Sequence, residues 1–197
     1  MRYDTDEMLN RFPLTEEEKQ IFKEKIFESH LWKDSDRGYS YREILFYETL
    51  KELPEKLVDV FYALVARYDF EEKFMTYNEG IYELIDALKR NGYRIYLLSN
   101  IGLGFHVFNL KIPVFSLFDG KFATCDCGLI KPRKEAFEAF FSKFGLCPQE
   151  CIFIDDSPEN VRASEISGMK AIQYNANYEN IPCLKNKLGQ CGINTES

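Results

Sequence analysis

An apolar run that stops on two adjacent carboxylates and passes at once into helix-start chemistry constrains this chain more than any other stretch. It is Cys151-Ile152-Phe153-Ile154-Asp155-Asp156-Ser157-Pro158-Glu159-Asn160-Val161. A run this short, closed by turn chemistry, reads as a buried strand. Ser157 suits a helix N-cap and Pro158 the first helical position. A buried strand leading straight into a helix is the unit of an α/β sheet, so Asp155 and Asp156 are expected at the strand's carboxyl end. Such sheets place their ligands there. Adjacent carboxylates repel and are costly to desolvate unless a cation neutralises them, and hard oxygen donors suit Mg2+. The competing reading is an Asp-Ser cap at an ordinary strand-to-helix turn.

Two more segments point the same way. Gly92-Tyr93-Arg94-Ile95-Tyr96-Leu97-Leu98-Ser99-Asn100 is a second apolar run, ending in a hydroxyl and an amide. It follows Gly80 to Asn91, where Ile81, Leu84, Ile85 and Leu88 recur at helical spacing. Ser99 and Asn100 are therefore expected at another strand's carboxyl end, where a hydroxyl and backbone N–H groups can hold phosphate oxygens. A plain Ser-Asn turn would look the same. In Gly128-Leu129-Ile130-Lys131-Pro132-Arg133-Lys134, Lys131 precedes a proline and is biased toward extended backbone before a helix. An ammonium so placed can offset charge on a transferring phosphoryl group. Taken singly, it would pass for a solvated surface lysine.

The ordered set Ser99, Lys131 and Asp155-Asp156 resembles the haloacid dehalogenase (HAD) superfamily, in its phosphatase-like branch with a helical cap. Leu-Leu-Ser-Asn around Ser99 is similar to that superfamily's second motif, Gly-Leu-Ile-Lys-Pro around Lys131 to its third, and Phe-Ile-Asp-Asp-Ser around Asp155 to its fourth. The segment from Trp32 through Asp36, Arg37, Gly38, Tyr39 and Ser40 to Glu43 is similar to the cap of sugar-phosphate phosphatases such as glucose 1-phosphate phosphatase. The resemblance implies an α/β, Rossmann-like core of parallel strands under an α-helical cap. It implies Mg2+-dependent hydrolysis of a small phosphorylated metabolite through an aspartyl phosphate. Ser99, Asn100 and Lys131 would bind phosphate, Lys131 would also serve catalysis, and Asp155 and Asp156 would hold Mg2+.

The superfamily's first motif, a strand ending in the nucleophilic Asp, has no clear counterpart. Asp4-Thr5-Asp6 has a suitable spacing, but only Met1, Arg2 and Tyr3 precede it, too few for a buried strand. Glu7 three residues after Asp4 marks a helix start instead. The chain is thus expected to begin just downstream of its own nucleophile, without its central first strand, and to turn over weakly or not at all. A truncated product, a slot filled by another segment or a second copy, and an imperfectly closed core all remain open. So does a non-catalytic phosphate and Mg2+ binding module. A receiver domain is disfavoured because its acidic pair would come first along the chain. A dehalogenase is disfavoured because halide displacement needs no Mg2+.

Thr15 with Glu18 and Ser40 with Glu43 have capping-box spacing, and Pro54 opens a third helix with Leu57, Val58, Phe61, Leu64 and Val65 inward. The first of these helices is expected to reach about Ser29 and the second about Glu52. Residues 1–77 are expected to form the cap and 78–197 the core. Strands are expected near Tyr93 to Leu98, Cys151 to Ile154 and Ala171 to Tyr174, with a weaker one at Phe122 to Cys125 and Val114 to Phe118 ambiguous. In 197 residues, 45% hydrophobic content argues for a sizeable core. A net charge of -7 without basic clusters argues against nucleic acid. The absence of a long apolar run and of a signal-peptide pattern argues for a cytoplasmic protein without membrane partners. Self-association is left open. Cys125 and Cys127 are expected on one strand face, and the six cysteines as small hydrophobes rather than metal ligands. His106 reads as a partly exposed helical histidine.

Overall fold

Helix starts are set by local chemistry, and the structure keeps the one written at Thr15. The Thr15 hydroxyl accepts a hydrogen bond from the Glu18 N–H, and the Glu18 carboxylate accepts one from the Thr15 N–H at 2.7 Å. Helix α2 (Glu16–Phe22) follows, after α1 (Thr5–Leu9). It does not run on to Ser29. Lys23–Phe27 widens to a π turn, with Glu28 N–H donating to the Lys23 carbonyl at 2.9 Å. Both Phe22 and Ile26 are fully buried on either side of that change. The computed structural model describes residues 5–38, 42–65, 80–176 and 178–196. Asp4, Ser40 and the boundary near Asn78 lie outside them.

Helices α3 (His30–Asp36), α4 (Arg42–Leu45), α5 (Tyr47–Glu52) and α6 (Glu55–Leu64) complete the helical part. They close on one apolar core of Met8, Leu9, Phe22, Ile26, Phe46, Leu57, Phe61 and Leu64. Phe46 and Phe61 meet with ring centroids 5.4 Å apart.

Among the described residues, all strands come later in the chain. Helix α7 (Ile81–Arg90) leads to β1 (Tyr96–Ser99), then α8 (Phe105–Phe108), β2 (Gly120–Ala123) and α9 (Lys134–Phe144). After these come β3 (Ile152–Asp155), α10 (Pro158–Ile166), β4 (Lys170–Gln173) and α11 (Ile181–Gln190). Ser157 caps α10, its hydroxyl accepting the Asn160 N–H, with Pro158 in the first turn. Val114 to Phe118 resolves as a 3-10 turn opened by Pro113. The weak strand shifts to β2, and Thr124–Asp126 forms another 3-10 turn. Cys125 and Cys127 therefore do not share a strand face: Cys125 is buried and Cys127 exposed.

The strands are parallel but form two ladders rather than one sheet. β1 pairs with β2 from Tyr96 opposite Gly120 to Ser99 opposite Ala123, and β3 with β4 from Ile152 opposite Lys170 to Asp155 opposite Gln173. Among the described residues no strand joins β1 to β3. Helices cover both faces. Leu84 and Leu88 of α7 pack with Ile172 and with Ile181, Leu184 and Leu188 of α11. On the other side, Leu98 and Phe122 pack with Phe137 and Phe140 of α9, joined by Phe153. Strands buried on both faces are apolar throughout, yet Ile154 is 38% exposed. The described residues leave that part of β3 uncovered.

Glu179, between β4 and α11, gathers an ion pair from Lys187, the Asn175 N–H at 2.9 Å and the Cys183 thiol at 3.0 Å. Lys187 above all, with these hydrogen bonds, holds its carboxyl down to about 2. A depressed folded-state pKa stabilises above the ordinary value and is lost as pH falls through the folded one. Urea midpoints of the wild type should therefore exceed those of Glu179→Gln by a constant margin above pH 4.5. The margin should close as pH drops toward 2. A margin that does not change with pH would refute the assignment.

Candidate functional site

Besides apolar packing, one polar side chain ties the two ladders together. Lys131 is 7% exposed, and its ammonium donates to the Leu98 carbonyl of β1 at 2.9 Å and to Asp155 Oδ2 of β3 at 2.6 Å. Its Nζ also lies 5.2 Å from the Phe153 ring centroid. An ammonium has three N–H groups, and the third has no partner among the described residues. Asp155 is saturated from the other side: Oδ1 accepts the Ser157 N–H at 3.0 Å and the Asn160 side-chain amide at 2.9 Å. One buried cation is thus fixed between the carboxyl ends of β1 and β3.

Asn100 fixes the backbone that carries it. Its amide donates to the Lys131 carbonyl and its side-chain oxygen accepts the Lys131 N–H, each at 2.9 Å. Both polar ends are spent on Lys131, so this side chain positions the lysine. Ser99 is the last residue of β1, directly after the carbonyl that holds the ammonium. Its hydroxyl makes no hydrogen bond to a described residue. Asp156 is exposed, and its carboxylate likewise has no partner among the described residues. Lys131, Asn100 and Asp155 are in direct contact; Ser99 and Asp156 flank them along the chain.

The helical part reaches this end of the core. Thr124, fully buried, accepts the Ile101 N–H at 3.0 Å and donates to the Asp36 carbonyl at 2.7 Å. Gly38 has φ +73° and lies so close to the turn after β2 that a Cβ there would sit 2.1 Å from the Cys125 carbonyl oxygen. A Cβ on Gly102, in the loop after Asn100, would lie 3.2 Å from the Ser35 carbonyl oxygen. The end of α3 therefore rests on the loops that follow β1 and β2. Asp34-Ser35-Asp36 repeats the Asp-x-Asp spacing, but it lies in α3 and does not close a strand. Sequence reasoning missed Asn160 and Thr124. Asn160 could have been found as the third residue after the Ser157 cap, whereas nothing marks Thr124 in advance.

Chemically, the arrangement offers an anion a fixed ammonium, a hydroxyl and strand-end backbone, with an uncompensated carboxylate alongside. Asp155 is already paired with Lys131, and Asp156 is the carboxylate that has no partner among the described residues. A carboxylate of that kind, with the hard oxygens of Asp155 beside it, fits Mg2+.

The haloacid dehalogenase-like hydrolase family model matches residues 8–168. Flavin mononucleotide hydrolase 1 of Arabidopsis thaliana is 29% identical over 60% of this chain and 47% of its own length. The chain spans about half the length of the curated relatives it matches. A HAD-like family hydrolase from Porphyromonas gingivalis superposes with a TM-score of 0.69 at 26% identity, covering 95% of this chain and 92% of that one. A HAD family enzyme of Bacteroides thetaiotaomicron, in complex with magnesium and inorganic phosphate, superposes at 0.64 with 20% identity, covering 90% of each chain.

Proposed function

The chain belongs to the haloacid dehalogenase-like hydrolases, and from that premise we propose that its site binds the phosphoryl group of a small phosphorylated metabolite. The observation that carries this is Lys131, buried and held between the ends of β1 and β3 with one N–H group left for a ligand. Ser99 and the backbone after it take phosphate oxygens. Lys131 offsets the negative charge that develops on them, at a position fixed by Asn100 and Asp155. Asp156, with Asp155, would hold Mg2+, which supplies charge neutralisation at the transferring group. Asn160 and Ser157 keep the Asp155 carboxylate from turning away. Relatives named for hydrolysis of flavin mononucleotide and for enolase-phosphatase activity support a phosphomonoester substrate. The α3 end, seated on the loops after β1 and β2, closes over the site and helps to exclude water. Free thiols at all six cysteines are in keeping with a reducing, cytoplasmic setting.

Hydrolysis through an aspartyl phosphate needs a carboxylate nucleophile. No strand among the described residues brings one beside Lys131, since Asp155 is engaged and Asp34-Ser35-Asp36 is helical. The chain is therefore a phosphate and Mg2+ binder with little turnover of its own. Calorimetric titration with inorganic phosphate in Mg2+ should show binding that Lys131→Ala removes. Aryl phosphate hydrolysis should stay at the level of that variant. Absence of phosphate binding would refute the site. Robust turnover that vanishes in Asp4→Asn would refute the missing nucleophile.

A further inference from the structure

Three different donor atoms, none of them used by the phosphate site, converge where α8 meets the turn after β2. His106 Nε2 lies 2.9 Å from Asp126 Oδ1, Cys125 Sγ lies 3.9 Å from the same nitrogen, and Cys125 Sγ lies 3.8 Å from the same oxygen. The size of this triangle is informative. A point equidistant from the three atoms lies about 2.1 Å from each, where zinc sits about 2.0–2.2 Å from nitrogen or oxygen and about 2.3 Å from sulfur. A histidine that relays a proton between a thiol and a carboxylate faces them with different ring nitrogens. Here the same Nε2 faces both, and the three donor atoms converge on one small region.

We propose that His106, Cys125 and Asp126 form a zinc site, with the fourth position open to solvent. The mixed nitrogen, sulfur and oxygen set selects a borderline ion such as Zn2+ over Mg2+, which takes oxygens alone. Cys125 is 8% exposed, while the His106 and Asp126 side chains are 53% and 41% exposed. The ion would thus sit at the surface with its thiolate inward and solvent in the remaining position. Burial, then the Asp126 carboxylate, push the metal-free Cys125 thiol up to about 12. Binding forms the Zn–S bond, and the thiol proton passes to the buffer. The ion would cross-link α8 to the Thr124–Asp126 turn, on which the Gly38 backbone rests. The site shares no ligand with the carboxylates at 155 and 156, so its test is independent of the phosphate reading.

Co2+ titration of the full chain reads the site directly, because a cobalt–thiolate charge-transfer band reports sulfur ligation. One equivalent should produce the band, and one equivalent of Zn2+ should abolish it. Cys127→Ser and Asp156→Asn should keep the band. Cys125→Ser should lose it. His106→Ala, an exposed change that leaves the core alone, should weaken binding at least tenfold, as should Asp126→Asn. A missing band, or a band unchanged by His106→Ala, would overturn the proposal.

Discussion

Lys131→Met is expected to lower stability by about 3–5 kcal/mol and to abolish phosphate binding. The magnitude follows from what is left behind. Asp155 has a side chain only 9% exposed, and its charge is balanced by Lys131 at 2.6 Å. Removing one partner of a buried pair strands the other charge in a medium that solvates it poorly, which typically costs about 3–5 kcal/mol. In a chain of this size that corresponds to a thermal midpoint roughly 10 °C lower. The double variant Lys131→Met, Asp155→Leu should recover much of the stability, since deleting both charges removes the stranded one. It should recover none of the phosphate binding, because the ammonium is still missing. Thermal melts with phosphate titrations on both variants separate the two roles. A single variant that melts within about 2 °C of wild type would show that Lys131 is not the strap described above.

The second large effect is expected at Gly38. Gly38→Ala places an L residue at φ +73°, costing about 1–2 kcal/mol. The new Cβ would also lie 2.1 Å from a backbone carbonyl oxygen that cannot rotate away. The turn after α3 must lift, and the Thr124 to Asp36 hydrogen bond goes with it, at about 1 kcal/mol. A total near 3 kcal/mol is expected. Gly92→Ala is the control. Its φ is +84° but nothing lies within 4 Å of its Cβ, so it carries the backbone strain alone. Equal losses in the two variants, measured by urea denaturation, would show that the α3 turn does not bear on Cys125.

Much of this site was legible because its chemistry is local. The Asp155-Ser157 junction closes a strand and caps a helix within a few residues, and Thr15 with Glu18 does the same at α2. Family spacing added Ser99 and Lys131 to the set, but spacing carries no hydrogen-bond assignment. Asn100 was expected on phosphate, yet its side chain faces the Lys131 backbone, because only the folded chain brings those two loops together. Asp155 was expected to hold Mg2+, and its hydrogen-bond partners are Lys131 from a distant loop and Ser157 and Asn160 from the helix start beside it. The π turn at Lys23 has no periodic signature, since the apolar spacing from Phe22 to Ile26 fits an ordinary helix equally well. His106 and Cys125 were each judged alone, and only the folded chain brings their side chains together.

The strap between the two ladders ties heredity of function to heredity of folding. A pair of strands is marginal by itself, and here the residue that would greet a phosphate is also a rivet between the halves. Drift at position 131 is thus screened twice, once by chemistry and once by cohesion. A lineage that abandoned catalysis would still have reason to keep that lysine.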